Sequence, residues 1–94
     1  MLIQKNQNKQ MIKLVEVAVH NEQYNLREIV VNSAHITSIV PDNTMAANNA
    51  NGRLPEGLHE GQQFSKVSFI NGKEIVVVGT PDVVGAKAKK IIHG

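Results

Sequence analysis

The chain is expected to fold as a mostly β, α+β domain: a small antiparallel sheet or partial barrel of about five strands, with one C-terminal helix. Three observations predict it. Val and Ile dominate the apolar residues, while Tyr24, Phe64 and Phe69 are the only aromatics, a composition that suits a pleated sheet better than a helical bundle. Short apolar runs are separated by Asn, Gly and Pro, the residues of turns. Thr80-Pro81-Asp82 then follows the last run as a helix start.

The first ten residues, MLIQKNQNKQ, are amide-rich and aperiodic and are expected to form a flexible tail, with a single β-rich domain over 11–94. IKLVEVAV (Ile12 to Val19) reads as a first strand, with Ile12 and Leu14 inward and Lys13 and Glu16 towards water. HNEQYN (His20 to Asn25) is expected to be a loop or wide hairpin connection before a second strand, Leu26 to Asn32. A brief turn over Asn32 to Ala34 leads to a third strand, His35 to Val40, which Pro41 ends because proline cannot donate into a ladder.

Residues 41–63 are expected to be a long loop. They hold Asn43, Asn48, Asn49, Asn51, three glycines and two prolines, with only scattered apolar side chains such as Met45, Leu54 and Leu58. Loops of more than about 12–15 residues in a compact domain are usually functional or disordered.

Phe64 to Ile70 alternates as a fourth strand, with Val67 and Phe69 on the phase opposite Phe64, Lys66 and Ser68. Asn71-Gly72 is the strongest short hairpin signal in the chain and predicts a type I′ turn, with both residues at positive φ. Lys73 to Gly79 follows as a fifth strand. Thr80 is then placed to cap a helix, Pro81 to occupy its first position and Asp82 to complement its dipole, the helix running to about Ile92.

Composition narrows the function. The absence of cysteine excludes disulfides, thiolate metal sites and a cysteine nucleophile. No apolar run approaches the roughly 18 residues of a membrane span, so a cytoplasmic location and no membrane partner are expected. The net charge of +2 is mildly basic, less than a dedicated nucleic-acid binder usually concentrates. His20, His35, His59 and His93 show no HxH, HxxxH or HExxH spacing, so no metal is expected. The serines lie outside any G-x-S-x-G elbow, and the glycines at 52, 57 and 61 form no phosphate loop. No enzyme and no cofactor are expected.

Two blocks, VVNSAHITSIVPDN and SKVSFINGKEIVVVGTPDVVGAKAKKI, resemble the corresponding parts of the small FlbD-like (SwrD) flagellar proteins and of similar short bacterial and phage proteins of unknown function. The likeness covers about half the chain. Asn32 falls where those proteins open a tight turn between two strands, Asn71-Gly72 on their NG, and Pro81 near the start of their terminal helix. What the resemblance implies is a non-enzymatic module, and it transfers no catalytic residue. The IVP at 39–41 is also similar to the last strand of Sm-like RNA-binding barrels, but it falls too early in the chain for that strand order.

The expected function is a small binding or regulatory protein that acts through protein contacts, of the kind phages and mobile elements encode. Its candidate binding residues lie in the 41–63 segment: Asn43, Asn48, Asn49, Asn51, Arg53, Leu54, Leu58 and His59, whose amides and exposed apolar groups suit adaptable recognition. The second reading is weak nucleic-acid binding through Lys66, Lys73, Lys87, Lys89 and Lys90. A homodimer is also expected if the Ile/Val-rich fifth strand, Glu74 to Val78, forms an edge of the sheet.

Overall fold

A computed structural model of the chain describes residues 10–55 and 57–93, the last five of these by their backbone only. It contains β1 (Met11–His20), β2 (Gln23–Asn32), a 3₁₀ turn (Ser33–His35), β3 (Ile36–Pro41), α1 (Asn43–Ala50), β4 (Phe64–Phe69), β5 (Glu74–Val78) and α2 (Pro81–His93). The five strands form one antiparallel sheet in the order β2-β1-β5-β4-β3. The mostly β, α+β class expected from the sequence is the class observed. The tail expected over residues 1–10 lies, apart from Gln10, outside the described residues.

The connection between β2 and β3 bends this sheet. From Asn32 to Ile36 the chain can reach at most about 14 Å. The outer strands of a flat five-stranded sheet would stand about 19 Å apart. Since β2 and β3 are those outer strands, the sheet must curl to bring their linked ends together. The Ile70 N–H donates to the His35 carbonyl at 2.9 Å, tying the 3₁₀ turn to the β4–β5 turn. The outer edges do not pair with each other, so the sheet stays open.

Strand β5 is central, flanked by β1 and β4, so the edge pairing expected of Glu74 to Val78 has no free edge to use. Each true edge carries a device against such pairing. Arg27 and Glu28 interrupt β2 midway, and β3 has a register shift between Ile36 and Ser38 and a terminal Pro41.

Two turns differ from the sequence reading. The segment His20 to Asn25 is a tight hairpin rather than a loop or wide hairpin connection: His20 faces Gln23, and Asn21 and Glu22 both adopt positive φ (51° and 65°). Ten cross-strand pairs from Met11↔Asn32 to His20↔Gln23 offset the strain of a left-handed Glu, about 1–2 kcal/mol. In the β4–β5 turn only Gly72 has positive φ (85°). The Gly72 N–H donates to the Phe69 carbonyl and the Phe69 N–H to the Lys73 carbonyl, both at 2.9 Å. This is a three-residue loop with a left-handed glycine bulge, not the type I′ turn that Asn-Gly predicts.

The 41–63 segment is not one long loop. Asp42 caps α1, its Oδ1 accepting the Met45 N–H at 2.9 Å. At the other end Gly52 (φ 75°) donates to the Asn49 carbonyl and Arg53 to the Asn48 carbonyl, each at 3.0 Å, the paired bonds of a Schellman stop. Asparagine is a poor interior helix former, so NTMAANNA carries almost no helical signal of its own, and the caps and packing decide it.

Each face of the sheet carries a packed cluster. On the first, Ile12, Leu14, Val67, Ile75 and Val77 bury against Val84 of α2. Helix α2 begins as predicted, with the Thr80 Oγ1 accepting the Val83 N–H at 3.2 Å. On the second face Val17 and Phe64 bury beneath Leu54, with Tyr24, Leu26, Met45 and Leu58 around them. Phe64 and Val67 thus fall on opposite faces, as their alternation in β4 requires.

Candidate binding trough

Helix α2 leaves part of the first face uncovered. There an open trough of about 480 Å³ runs between the β1–β2 hairpin and the β4–β5 turn. Ile29, Val31, Phe69 and Ile75 supply its apolar surface. Ile70, 66 % exposed, stands on its rim beside Asn71 and Lys73.

The polar wall of the trough is an ion pair built by strand register. Glu16 and Arg27 are direct partners across β1 and β2, which places both side chains on the same face. Glu16 is also opposite Val77 of β5, so that shared face is the first one. Arg27 Nε donates to Glu16 Oε1 at 2.7 Å. The Glu16 side chain is only 13 % exposed and that of Arg27 64 %, so a sheltered carboxylate anchors a guanidinium that reaches into solvent. Glu16 was expected to point to water; it shares instead the phase of Ile12 and Leu14. Its even position in that alternation was the available signal. Only the pairing of β1 with β5, remote in sequence, makes that phase a sheltered one.

The residues expected to form a binding loop are divided between structural and exposed roles. Asn48 Nδ2 donates to the Tyr24 hydroxyl at 3.2 Å, and Asn49 Nδ2 to the His59 carbonyl at 2.8 Å. Leu54 is buried and Leu58 half-buried against the second face. Asn43, Asn51, Arg53 and His59 are exposed, and the His59 imidazole accepts the Gly61 N–H at 3.0 Å. The segment is therefore largely a cover for the sheet, and half of the expected contact residues hold it in place.

The lysines do not share one face. Lys66 opposes Val76 and lies on the second face, while Lys73 borders the trough on the first. Lys87 projects from α2 and donates to the Lys13 carbonyl at 3.1 Å. The side chains of Lys89 and Lys90 lie outside the described residues. Among the described residues no group of three or more His, Cys, Asp or Glu side chains could hold a metal ion, and no helix is long and apolar enough to cross a membrane.

Comparison with protein-family models, curated proteins and solved structures finds no match.

Proposed function

We propose that this is a small non-enzymatic binding protein of the cytoplasm, which takes a partner protein into the trough on the first face of its sheet. One observation carries the reading: among the described residues an apolar surface stays open beside the cluster that packs on Val84 of α2. Concave apolar surface with a few converging polar groups is the usual form of a recognition site. The internal use of Asn48, Asn49, Leu54 and Leu58 favours the trough over the 41–63 segment as the place of contact. A regulatory role, of the kind suggested by the likeness to short phage and flagellar proteins, fits a module of this size.

The test is recovery of a partner from host lysate by three forms: the unaltered protein, Ile70→Asp and Val19→Asp. Ile70 and Val19 are each 66 % exposed, so either aspartate stays in water. Val19 does not line the trough and, as the partner of Tyr24, belongs to the second face, so it serves as the control. The unaltered protein and Val19→Asp should recover the same partner, and Ile70→Asp should lose it. Equal recovery by all three, or by none, refutes the trough as the contact site.

A further inference from the structure

Resting on that reading of the trough, we infer that what it recognises is the free C-terminus of a partner chain ending in an apolar residue, with Arg27 as the carboxylate anchor. Arg27 uses only its Nε on Glu16; among the described residues its two Nη groups, with four N–H donors, have no acceptor. These donors stand on 64 % exposed side chain at the edge of an apolar surface. A guanidinium held by one edge presents a fork that matches a carboxylate with two parallel bonds.

Charge points the same way. Glu16 is the single acidic residue lining the trough, and it is already paired. Lys73 adds a second cation, with no carboxylate partner among the described residues, and the His35 imidazole lies nearby. An incoming anion thus meets one compensated and one uncompensated cation. Glu16 acts here as a positioning residue that fixes the guanidinium plane.

Geometry selects the kind of carboxylate. Arg27 and Ile29 are two apart on one strand, so their side chains leave the same face about 7 Å from each other. A ligand that satisfies both must carry its negative charge close to its apolar group. A C-terminal residue does so, because its carboxylate and its side chain share one Cα. An internal Asp or Glu spans the same distance only when it lies two positions from the apolar residue on an extended ligand, whereas a C-terminal residue needs no such placement.

The probe is a fluorescein-labelled pentapeptide, Gly-Ser-Gly-Leu-Phe, with a free C-terminal carboxylate, compared by anisotropy with its C-terminal amide. The acid should bind roughly tenfold or more tightly than the amide, the scale of a charge-assisted hydrogen bond. Arg27→Gln should bring the acid down to the level of the amide while leaving the amide unchanged, whereas a merely structural role for Arg27 would weaken both. Should loss of the partner of Glu16 unfold Arg27→Gln, Arg27→Lys keeps a cation for Glu16 without the fork, and should give the same convergence in part. Equal binding of acid and amide overturns the carboxylate anchor and leaves the trough standing as a contact site. Absence of binding by either peptide at millimolar concentration overturns the inference, and the lysate test with Ile70→Asp then decides separately whether the trough is used at all.

Discussion

Truncating Leu54 to alanine measures whether residues 51–63 are part of the folded domain. Leu54 is 9 % exposed and packs with Val17 and Phe64 between the segment and the second face of the sheet. Leu54→Ala removes three carbons from that contact. At about 0.8 kcal/mol for each buried carbon, the transfer loss is about 2.4 kcal/mol. The cavity left behind adds to this, and Leu→Ala losses in cores run to about 2–5 kcal/mol. The site lies beneath a segment that can settle inward, so the low end applies, about 2–3 kcal/mol. A domain of this size has roughly 5–15 kcal/mol in total. Urea denaturation should show a lower midpoint with an unchanged slope, and a thermal melt should fall by about 10 °C or more. Val40→Ala, at a 46 % exposed position on the edge strand β3, is the control and should change little. If Leu54→Ala unfolds with the midpoint of the unaltered protein, the segment is a free loop and its packing against Phe64 is refuted.

The β4–β5 turn is tested by substituting Asn71 and Gly72 separately. Gly72→Val places a β-branched residue at φ 85° with nothing within 4 Å of its Cβ, so the expected loss of about 1–2 kcal/mol is pure backbone strain. Asn71→Ala should lose only the bond from the Lys73 N–H to Asn71 Oδ1, about 0.5–1.5 kcal/mol; a larger loss at Asn71→Val than at Gly72→Val by chemical denaturation would restore the type I′ turn. Gly52→Val should also cost about 1–2 kcal/mol, since Gly52 is left-handed where α1 stops, and a neutral melt there refutes the Schellman stop. Asp42→Ala should cost about 1 kcal/mol through loss of the cap on the Met45 N–H, and circular dichroism should register the missing helical turns; an unchanged spectrum and midpoint would count against α1. The two buried serines should respond in opposite ways. Ser65→Ala orphans the Gly79 carbonyl, which its hydroxyl now meets at 2.7 Å, and should cost about 1 kcal/mol. Ser33→Ala removes a buried hydroxyl with no partner among the described residues, and should be neutral or stabilising in the same melt.

Local chemistry alone determined a good deal about this protein. The alternation of Phe64, Val67 and Phe69 set β4 and its two faces, and Thr80-Pro81-Asp82 marked the start of α2, because each signal acts between residues a few positions apart. Where the local signal was weak, the sequence misled. Asn21-Glu22 lacks the glycine that advertises a tight hairpin, and ten cross-strand pairs rather than the turn residues force it closed. Asn-rich α1 has little helix propensity, and Asp42, the Gly52 stop and burial against Phe64 supply what its composition does not. The trough was beyond sequence reading for a different reason. Glu16 meets Arg27 across eleven residues of chain, and lies opposite Val77 across sixty-one, so which face their side chains share depends on strand order. Strand order follows from how the whole sheet buries its apolar surface. That is a property of all five strands at once, and no stretch of the chain expresses it alone.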